Sequence, residues 1–216
     1  MKNKKMVIYL IIMSILFSFN SCSQKNTSSK LPASSLSPLE ITGNYITPEG
    51  GVNIADAKAI ILQYLKDIGI VGNFEGSLTI EEITTKEAWD NNKIQIYKTG
   101  FNFESGVTII KGGKAVSYRL GKPTNNIFLA DLDIDGIYEV YQNITYDGYA
   151  EILGYNAVTK EFYYLSKRTV QKDIALYIEN SLLYAKVIPS MTSTVEKKAR
   201  VYLKKSADNT TILEIE

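Results

Sequence analysis

Residues 127–144, IFLADLDIDGIYEVYQNI, decide the fold class more directly than any other stretch. A short apolar run at 127–130 precedes an acidic segment, and alternating apolar residues from Ile137 to Ile144 follow it. Apolar runs of this length predict strands, and Gly136 gives the backbone the freedom that a sharp turn requires. The stretch therefore predicts two strands that are joined by an acidic loop.

Working outward, the chain from residue 78 onward repeats this pattern of short strands and turns. The remaining predicted strands are 78–84, 93–97, 107–110, 115–120, 149–155, 161–166, 174–178, 182–188, 199–204 and 210–215. The sequence KGGK at 111–114 predicts a hairpin turn, and residues 156–160 predict another turn. The last four strands are expected to form a meander.

One helix is predicted before the strands, from Ile54 to Ile68. Apolar residues recur there at helical spacing, and Asn53 is suited to cap the first turn. We expect the face of Ile54, Ile61, Leu65 and Ile68 to be buried against a sheet. The predicted fold is mainly β with one N-terminal helix (α+β). Its strands form an antiparallel sheet, a sandwich or a partial propeller-like meander.

Residues 1–21 have the parts of an export signal. Three lysines precede a short apolar run at 6–19, and FNSC at 19–22 places a small residue before a cysteine. This segment resembles the bacterial lipoprotein signal, or lipobox. The resemblance implies cleavage before Cys22 and attachment of a lipid to its thiol.

The predicted organisation is a signal peptide at 1–21, a flexible tether at 22–38 and a single β-rich domain at 39–216. The segment 23–38 is rich in Ser, Thr, Lys and Pro and has no apolar periodicity, which is typical of a tether. An acyl group on Cys22 would hold the domain to a lipid membrane. The expected location is therefore extracytoplasmic, at the cell membrane or the outer membrane.

Composition limits the classes of function. Removing residues 1–21 takes away three lysines and no acidic residue, so the formal charge changes from +1 to −2. A near-neutral chain argues against nucleic acid as a partner. The chain has no histidine, and its single cysteine is Cys22, so neither Ser-His-Asp nor Cys-His catalysis is available. We therefore expect no catalytic residues and no enzyme activity.

The acidic segment has the form D-x-D-x-D-G-x-x-E. Asp131, Asp133, Asp135 and Glu139 stand at loop positions one, three, five and nine, and the carbonyl of Ile137 would stand at position seven. Calcium takes six to eight oxygen ligands and favours carboxylates on a loop that folds around the ion. The spacing predicts a calcium site made of these five residues.

The loop resembles the calcium loops of FG-GAP and VCBS-type propeller blades. Residues 77–216 also resemble, in layout, a group of uncharacterised exported bacterial proteins, and that resemblance implies no activity. Ile134 departs from the calcium-loop pattern, which usually has glycine at this left-handed position. The alternative interpretation is that Asp135 and Gly136 form a plain hairpin turn with a solvated acidic tip.

We interpret the chain as a membrane-anchored lipoprotein with a non-enzymatic domain that binds a protein or glycan partner. One alternative is a solute- or glycan-binding lipoprotein that assists uptake. Trp89, Tyr97 and Phe101 could line its sugar-binding surface, although aromatic residues at strand spacing are more often core. Another alternative is a hydrolase that uses the carboxylates at 81, 82 and 87.

Overall fold

The computed structural model describes residues 36–70, 77–101, 104–117, 126–146, 149–165, 174–188 and 193–216. They all belong to one compact unit, Ala33–Glu216. The signal segment, Cys22 and the tether up to residue 35 lie outside the described residues.

Two helices and thirteen strands are formed by these residues. The helices are α1 (Ile54–Asp67) and α2 (Lys86–Asn92). The strands are β1 (Leu39–Glu40), β2 (Thr79–Glu82), β3 (Ile94–Phe101), β4 (Glu104–Lys111), β5 (Lys114–Ser117), β6 (Ile127–Ala130), β7 (Glu139–Tyr146), β8 (Tyr149–Asn156), β9 (Glu161–Tyr164), β10 (Ile174–Glu179), β11 (Leu182–Val187), β12 (Lys197–Lys205) and β13 (Thr211–Ile215).

Every pairing between these strands is antiparallel, and they form three sheets. The N-terminal sheet has the order β2-β3-β4-β5, the central sheet β1-β6-β7-β8-β9 and the C-terminal sheet β10-β11-β12-β13. The prediction of a mainly β, antiparallel fold is confirmed. The last four strands form the predicted meander, in which each strand pairs with the next.

The central sheet is covered on both faces. Val140 packs in a core with the N-terminal sheet, whereas its neighbour Tyr141 packs in a core with the C-terminal sheet. Successive residues of a strand point to opposite faces, so the three sheets are stacked as layers. All four residues of β6 are buried, which explains why this strand is a continuous apolar run. A sandwich and a partial propeller-like meander both stack antiparallel sheets in this way, so the three sheets fit both predictions.

Helix α1 covers the outer face of the N-terminal sheet. Ala57, Ile61 and Leu65 are fully buried there, in a core with residues of β3 and β4. The prediction that Ile54 and Ile68 share this buried face is wrong, because their side chains are 51% and 45% exposed. They lie at the two ends of the helix, so only the i, i+4, i+8 row between them reaches the sheet.

The N-terminus of α1 is capped as predicted. The side chain of Asn53 accepts hydrogen bonds from the N–H groups of Ala55 and Asp56, at 3.1 and 3.0 Å. These bonds satisfy two donors that the first helical turn leaves without a partner.

Two elements were not predicted from the sequence. Helix α2 is only seven residues long, and β1 pairs just two residues with β6. Residues 36 and 37, before the predicted start of the domain at residue 39, also contact the domain. Leu36 packs against the core between the N-terminal and central sheets, and the carbonyl of Ser37 accepts a hydrogen bond from the Tyr138 hydroxyl at 3.0 Å. The end of the predicted tether is thus part of the folded domain.

Candidate metal centre

The acidic loop connects β6 to β7 at one end of the central sheet. Ala130 pairs with Glu139 across the sheet, so residues 131–138 form an eight-residue loop. Asp131 and Glu139 are 2% and 0% exposed, whereas Asp133 and Asp135 are exposed. The alternative of a plain two-residue hairpin with a wholly solvated tip is therefore wrong.

The Asp131 carboxylate folds the loop around itself. Its Oδ1 accepts a hydrogen bond from the Asp135 N–H at 3.0 Å, and its Oδ2 accepts one from the Gly136 N–H at 3.1 Å. Gly136 and Ile134 both adopt the left-handed conformation, with φ of +82° and +66°. For a β-branched isoleucine this conformation costs on the order of 1–3 kcal/mol, which the rest of the loop must offset.

Four carboxylates converge inside this fold. One oxygen from each of Asp131, Asp133, Asp135 and Glu139 lies within 4.8 Å of the other three. Calcium binds oxygens at about 2.3–2.6 Å, so two ligands of one ion lie up to about 5 Å apart. The cluster could therefore hold a single metal ion. Ile137, the fifth predicted ligand, lies in the same loop, and its N–H donates to Asp135 Oδ1 at 2.8 Å.

Glu139 forms the buried side of the cluster. Its Oε2 accepts hydrogen bonds from the Leu132 N–H at 2.9 Å and from the Tyr141 hydroxyl at 3.0 Å. Tyr141 can take this position because Gly154 stands opposite it on β8. A Cβ at residue 154 would lie only 2.2 Å from Tyr141 Cε1. Because Gly154 has no side chain, the Tyr141 ring can lie against it and its hydroxyl can reach the Glu139 carboxylate.

Asn156, at the end of β8, reaches the same carboxylates from the neighbouring strand. Its Oδ1 accepts hydrogen bonds from the N–H groups of Val158 and Thr159, at 2.9 and 3.0 Å. This fixes the orientation of the amide, so its Nδ2 is directed at the cluster. Nδ2 lies 3.3 Å from an oxygen of Glu139 and 3.5 Å from oxygens of Asp133 and Asp135. A neutral donor thus partly offsets the negative charge of the loop.

Tyr163 of β9 adds a second donor from outside the loop. Its hydroxyl donates to Asp133 Oδ2 at 3.2 Å. Asp133 and Asp135 therefore receive hydrogen bonds on the side of the loop that faces β8 and β9, which holds their carboxylates near the buried Glu139.

Helix α2 contacts the loop at its last residue, Tyr138, just before β7. The Asn92 side chain donates from Nδ2 to the carbonyl of Tyr138, and its Oδ1 accepts from the Tyr138 N–H at 3.2 Å. The side chain thus pairs with the backbone of residue 138 as a neighbouring strand would. Because Tyr138 lies between Ile137 and Glu139, this pairing positions two of the predicted ligands.

Burial and the charges of neighbouring carboxylates make Glu139 and Asp133 harder to ionise when no metal is bound. The pKa of Glu139 is raised from 4.5 to about 9, mainly by burial. The charges of Asp133 and Asp131 contribute to this rise, and the hydrogen bonds from Leu132 and Tyr141 oppose it. Burial also raises the pKa of Asp133, and the adjacent charge of Asp135 adds to this effect. A bound cation would reverse these shifts by stabilising the ionised carboxylates.

The aromatic residues proposed for a sugar-binding surface do not form one. Tyr97 is fully buried and Phe101 is 7% exposed, both in the core beneath α1. Trp89 is half-buried on α2, where the ammonium group of Lys93 lies 5.1 Å from the ring centroid. The alternative that these residues belong to the core is correct for Tyr97 and Phe101.

The glutamates proposed for a hydrolase are also dispersed. Glu81 and Glu82 are adjacent on β2 and so point to opposite faces. Glu81 forms an exposed ion pair with Lys98 at 3.9 Å, and Glu82 accepts a hydrogen bond from the Gln95 amide at 3.0 Å. Glu87 lies in the first turn of α2.

Among the described residues, no helix combines the length and the apolar character needed to cross a membrane. Neither the known protein families, nor the curated proteins, nor the solved structures include one that matches this chain.

Proposed function

We propose that the chain is an exported lipoprotein whose β-rich domain binds a protein or glycan partner and is stabilised by one calcium ion. The anchor is a lipid on Cys22, and the domain lies outside the cytoplasm at the cell or outer membrane. The order of lysines, apolar run and FNSC at the N-terminus supports export and acylation. The lack of histidine and of a second cysteine supports a binding role over a catalytic one.

One observation carries the calcium assignment: oxygens of Asp131, Asp133, Asp135 and Glu139 lie within 4.8 Å of one another. An all-oxygen, mainly carboxylate ligand set suits calcium and not the softer transition metals. Exported domains commonly meet calcium at concentrations where ~10⁻⁴–10⁻³ M affinity is sufficient.

The position of the loop indicates a structural role for the ion. Hydrogen bonds connect the loop to α2 through Asn92, to the start of the domain through Ser37, and to β8 and β9 through Asn156 and Tyr163. An ion in the loop would therefore hold together segments that are far apart in sequence. At ten times the dissociation constant, binding would add ~1.4 kcal/mol to the free energy of unfolding.

Thermal unfolding in excess EDTA and in millimolar calcium tests this role. The melting temperature should rise in calcium for the wild type, because the ion binds the folded loop only. The rise should disappear in Asp131→Ala and in Asp133→Ala, which lose ligands at the buried and exposed sides of the site.

Asp208→Asn is the matched control. Asp208 is also an acidic turn residue, and it accepts hydrogen bonds from Thr210 in the hairpin between β12 and β13. This variant should keep the full response to calcium. Identical melting curves of the wild type in EDTA and in calcium would show that the acidic loop is only a structured turn.

A further inference from the structure

The outer face of the C-terminal sheet combines tyrosines with cations. We define this outer face by the side chains of β10, β11 and β12 that alternate away from the core. Leu183, Ala185 and Val201 point inward and are buried. The polar and aromatic outward residues are three tyrosines, four cations and one acid: Tyr177, Tyr184, Tyr202, Lys186, Lys198, Arg200, Lys204 and Glu179. They are half-buried or exposed, although they lie on a sheet whose other face is a dense core.

The tyrosines and lysines of the outer face are in contact. Tyr177 and Tyr184 are directly opposite each other on β10 and β11, with ring centroids 5.8 Å apart. The ammonium group of Lys198 lies 4.4 Å from the Tyr184 ring centroid, and that of Lys186 lies 5.9 Å from the Tyr177 ring centroid. The cations thus cover the flat faces of the rings. The face presents ammonium groups and phenol hydroxyls rather than an open aromatic platform.

Positive charge is concentrated on β12. Five of its nine residues are Lys or Arg, and none is acidic. Three lysines of the outer face form ion pairs with Glu179, Glu196 and Glu214, which lie outside β12. Exposed pairs of this kind are weak, so they can open when a stronger anion approaches. A dense array of phosphates is such a partner.

The N-terminal chain reaches the domain beside this sheet. β1, the first strand, contacts β10, which is the edge strand of the C-terminal sheet. Thirteen residues separate Cys22 from Leu36. A chain of that length spans at most about 45 Å, so a lipid on Cys22 would keep this part of the domain close to the bilayer.

We propose that the outer face of the C-terminal sheet docks on a bilayer surface that contains anionic phospholipids. Lysine and arginine pair with lipid phosphates, while tyrosine suits the interface because its ring is apolar and its hydroxyl is polar. A glycan that stacks on aromatic rings fits less well, because lysines already cover Tyr177 and Tyr184. The orientation on the membrane rests on the proposed anchor at Cys22. The affinity of the outer face for lipid does not depend on that anchor.

Co-sedimentation of the unacylated mature chain with vesicles tests the docking separately from the anchor. The chain is residues 22–216 with Cys22→Ser, and the vesicles contain phosphatidylcholine with or without about 30 mol % phosphatidylglycerol. We expect binding to the anionic vesicles only, weakening as salt rises towards ~0.5 M. Each cation removed should weaken binding about fivefold, so the triple variant K186Q/K198Q/R200Q should bind on the order of 100-fold more weakly.

The matched control is K58Q/K86Q/K160Q, which removes three exposed lysines from α1, α2 and the turn after β8. It should bind within about twofold of the wild type. Circular dichroism checks that each variant is folded, and K198Q alone replaces the triple variant if that does not fold.

Three results would overturn the proposal. The first is a wild-type chain that does not bind anionic vesicles. The second is equal loss of binding in the outer-face variant and the control. The third is binding to an acidic polysaccharide such as alginate but not to vesicles, which would assign the outer face to a glycan.

Discussion

At the scale of single residues, Glu139 is the most constrained side chain in the acidic loop. It is fully buried, it accepts hydrogen bonds from Leu132 and Tyr141, and it faces the carboxylates of Asp131 and Asp133. A carboxylate in this position is destabilised when it is ionised without a counter-ion. The ionisation of Glu139 therefore makes the stability of the domain depend on pH and on a bound cation.

This connection predicts a pH dependence of the metal-free chain. The pKa of Glu139 is raised from 4.5 to about 9 in the folded state, so the protonated side chain favours folding. Its contribution to the free energy of unfolding is complete below about pH 4 and is lost as the pH rises towards about 9. Urea unfolding in EDTA at several pH values between about 5 and 9 should show stability that decreases with pH.

Glu139→Gln is the control for this effect, because glutamine has the shape of the protonated side chain and does not ionise. Its stability should depend less on pH than that of the wild type, with the raised pKa of Asp133 giving a residual slope in the same direction. The same pH dependence in both proteins would contradict the role of Glu139.

The four carboxylates of the cluster could be predicted from the sequence, but the residues that support them could not. The four carboxylates follow a local spacing in one loop. Asn92, Asn156 and Tyr163 come from other elements, and the contact of Asn92 with Tyr138 spans 46 residues. Strand register and sheet stacking bring these residues together, and no local pattern encodes that. The sequence predicted only a turn at residues 156–160, and a turn does not fix the direction of the Asn156 side-chain amide.

At the scale of elements, helix α1 offers a direct comparison of buried and exposed isoleucines. Ile61→Ala removes a fully buried side chain and should lower the free energy of unfolding by ~2–5 kcal/mol. Ile54→Ala, at the half-exposed start of the same helix, should cost less than ~1 kcal/mol. Urea denaturation of both variants measures the difference. Equal losses would show that α1 does not pack through the row of Ala57, Ile61 and Leu65.

The long elements were predictable because their patterns are long enough to show a period. The strands after residue 77 and the helix from Ile54 were predicted to within a few residues. Helix α2 was missed because seven residues, KEAWDNN, cover only two turns and contain two apolar side chains. The errors at Ile54 and Ile68 have a different cause, since periodicity gives the face of a helix but not where the partner sheet ends.

At the scale of the whole molecule, the acidic loop lies where separate layers meet. Its neighbours include α2 from the N-terminal half, the strands β8 and β9 of the central sheet, and Ser37 at the start of the domain. The stacking of three sheets could not be derived from strand patterns alone, because each sheet could also have stood as one half of a separate sandwich. The continuous apolar run IFLA of β6 is the sequence feature that indicates a sheet covered on both faces, and all four of its residues are buried.

The membrane anchor is a separate prediction at this scale. Cells that express the protein and are fed an alkyne fatty acid should incorporate the label into the wild type but not into Cys22→Ala, because Cys22 is the only thiol. Equal labelling of the two proteins, or none of the wild type, would contradict a lipid on Cys22.

The central claim is that one calcium ion binds the loop from Asp131 to Glu139. Isothermal titration of calcium into the chelator-treated domain measures this directly. We predict one ion per chain with a dissociation constant of ~10⁻⁴–10⁻³ M, and no binding in the double variant D133A/D135A. Binding with the same stoichiometry and affinity in that variant, or no binding by the wild type up to ~10 mM calcium, would contradict the account.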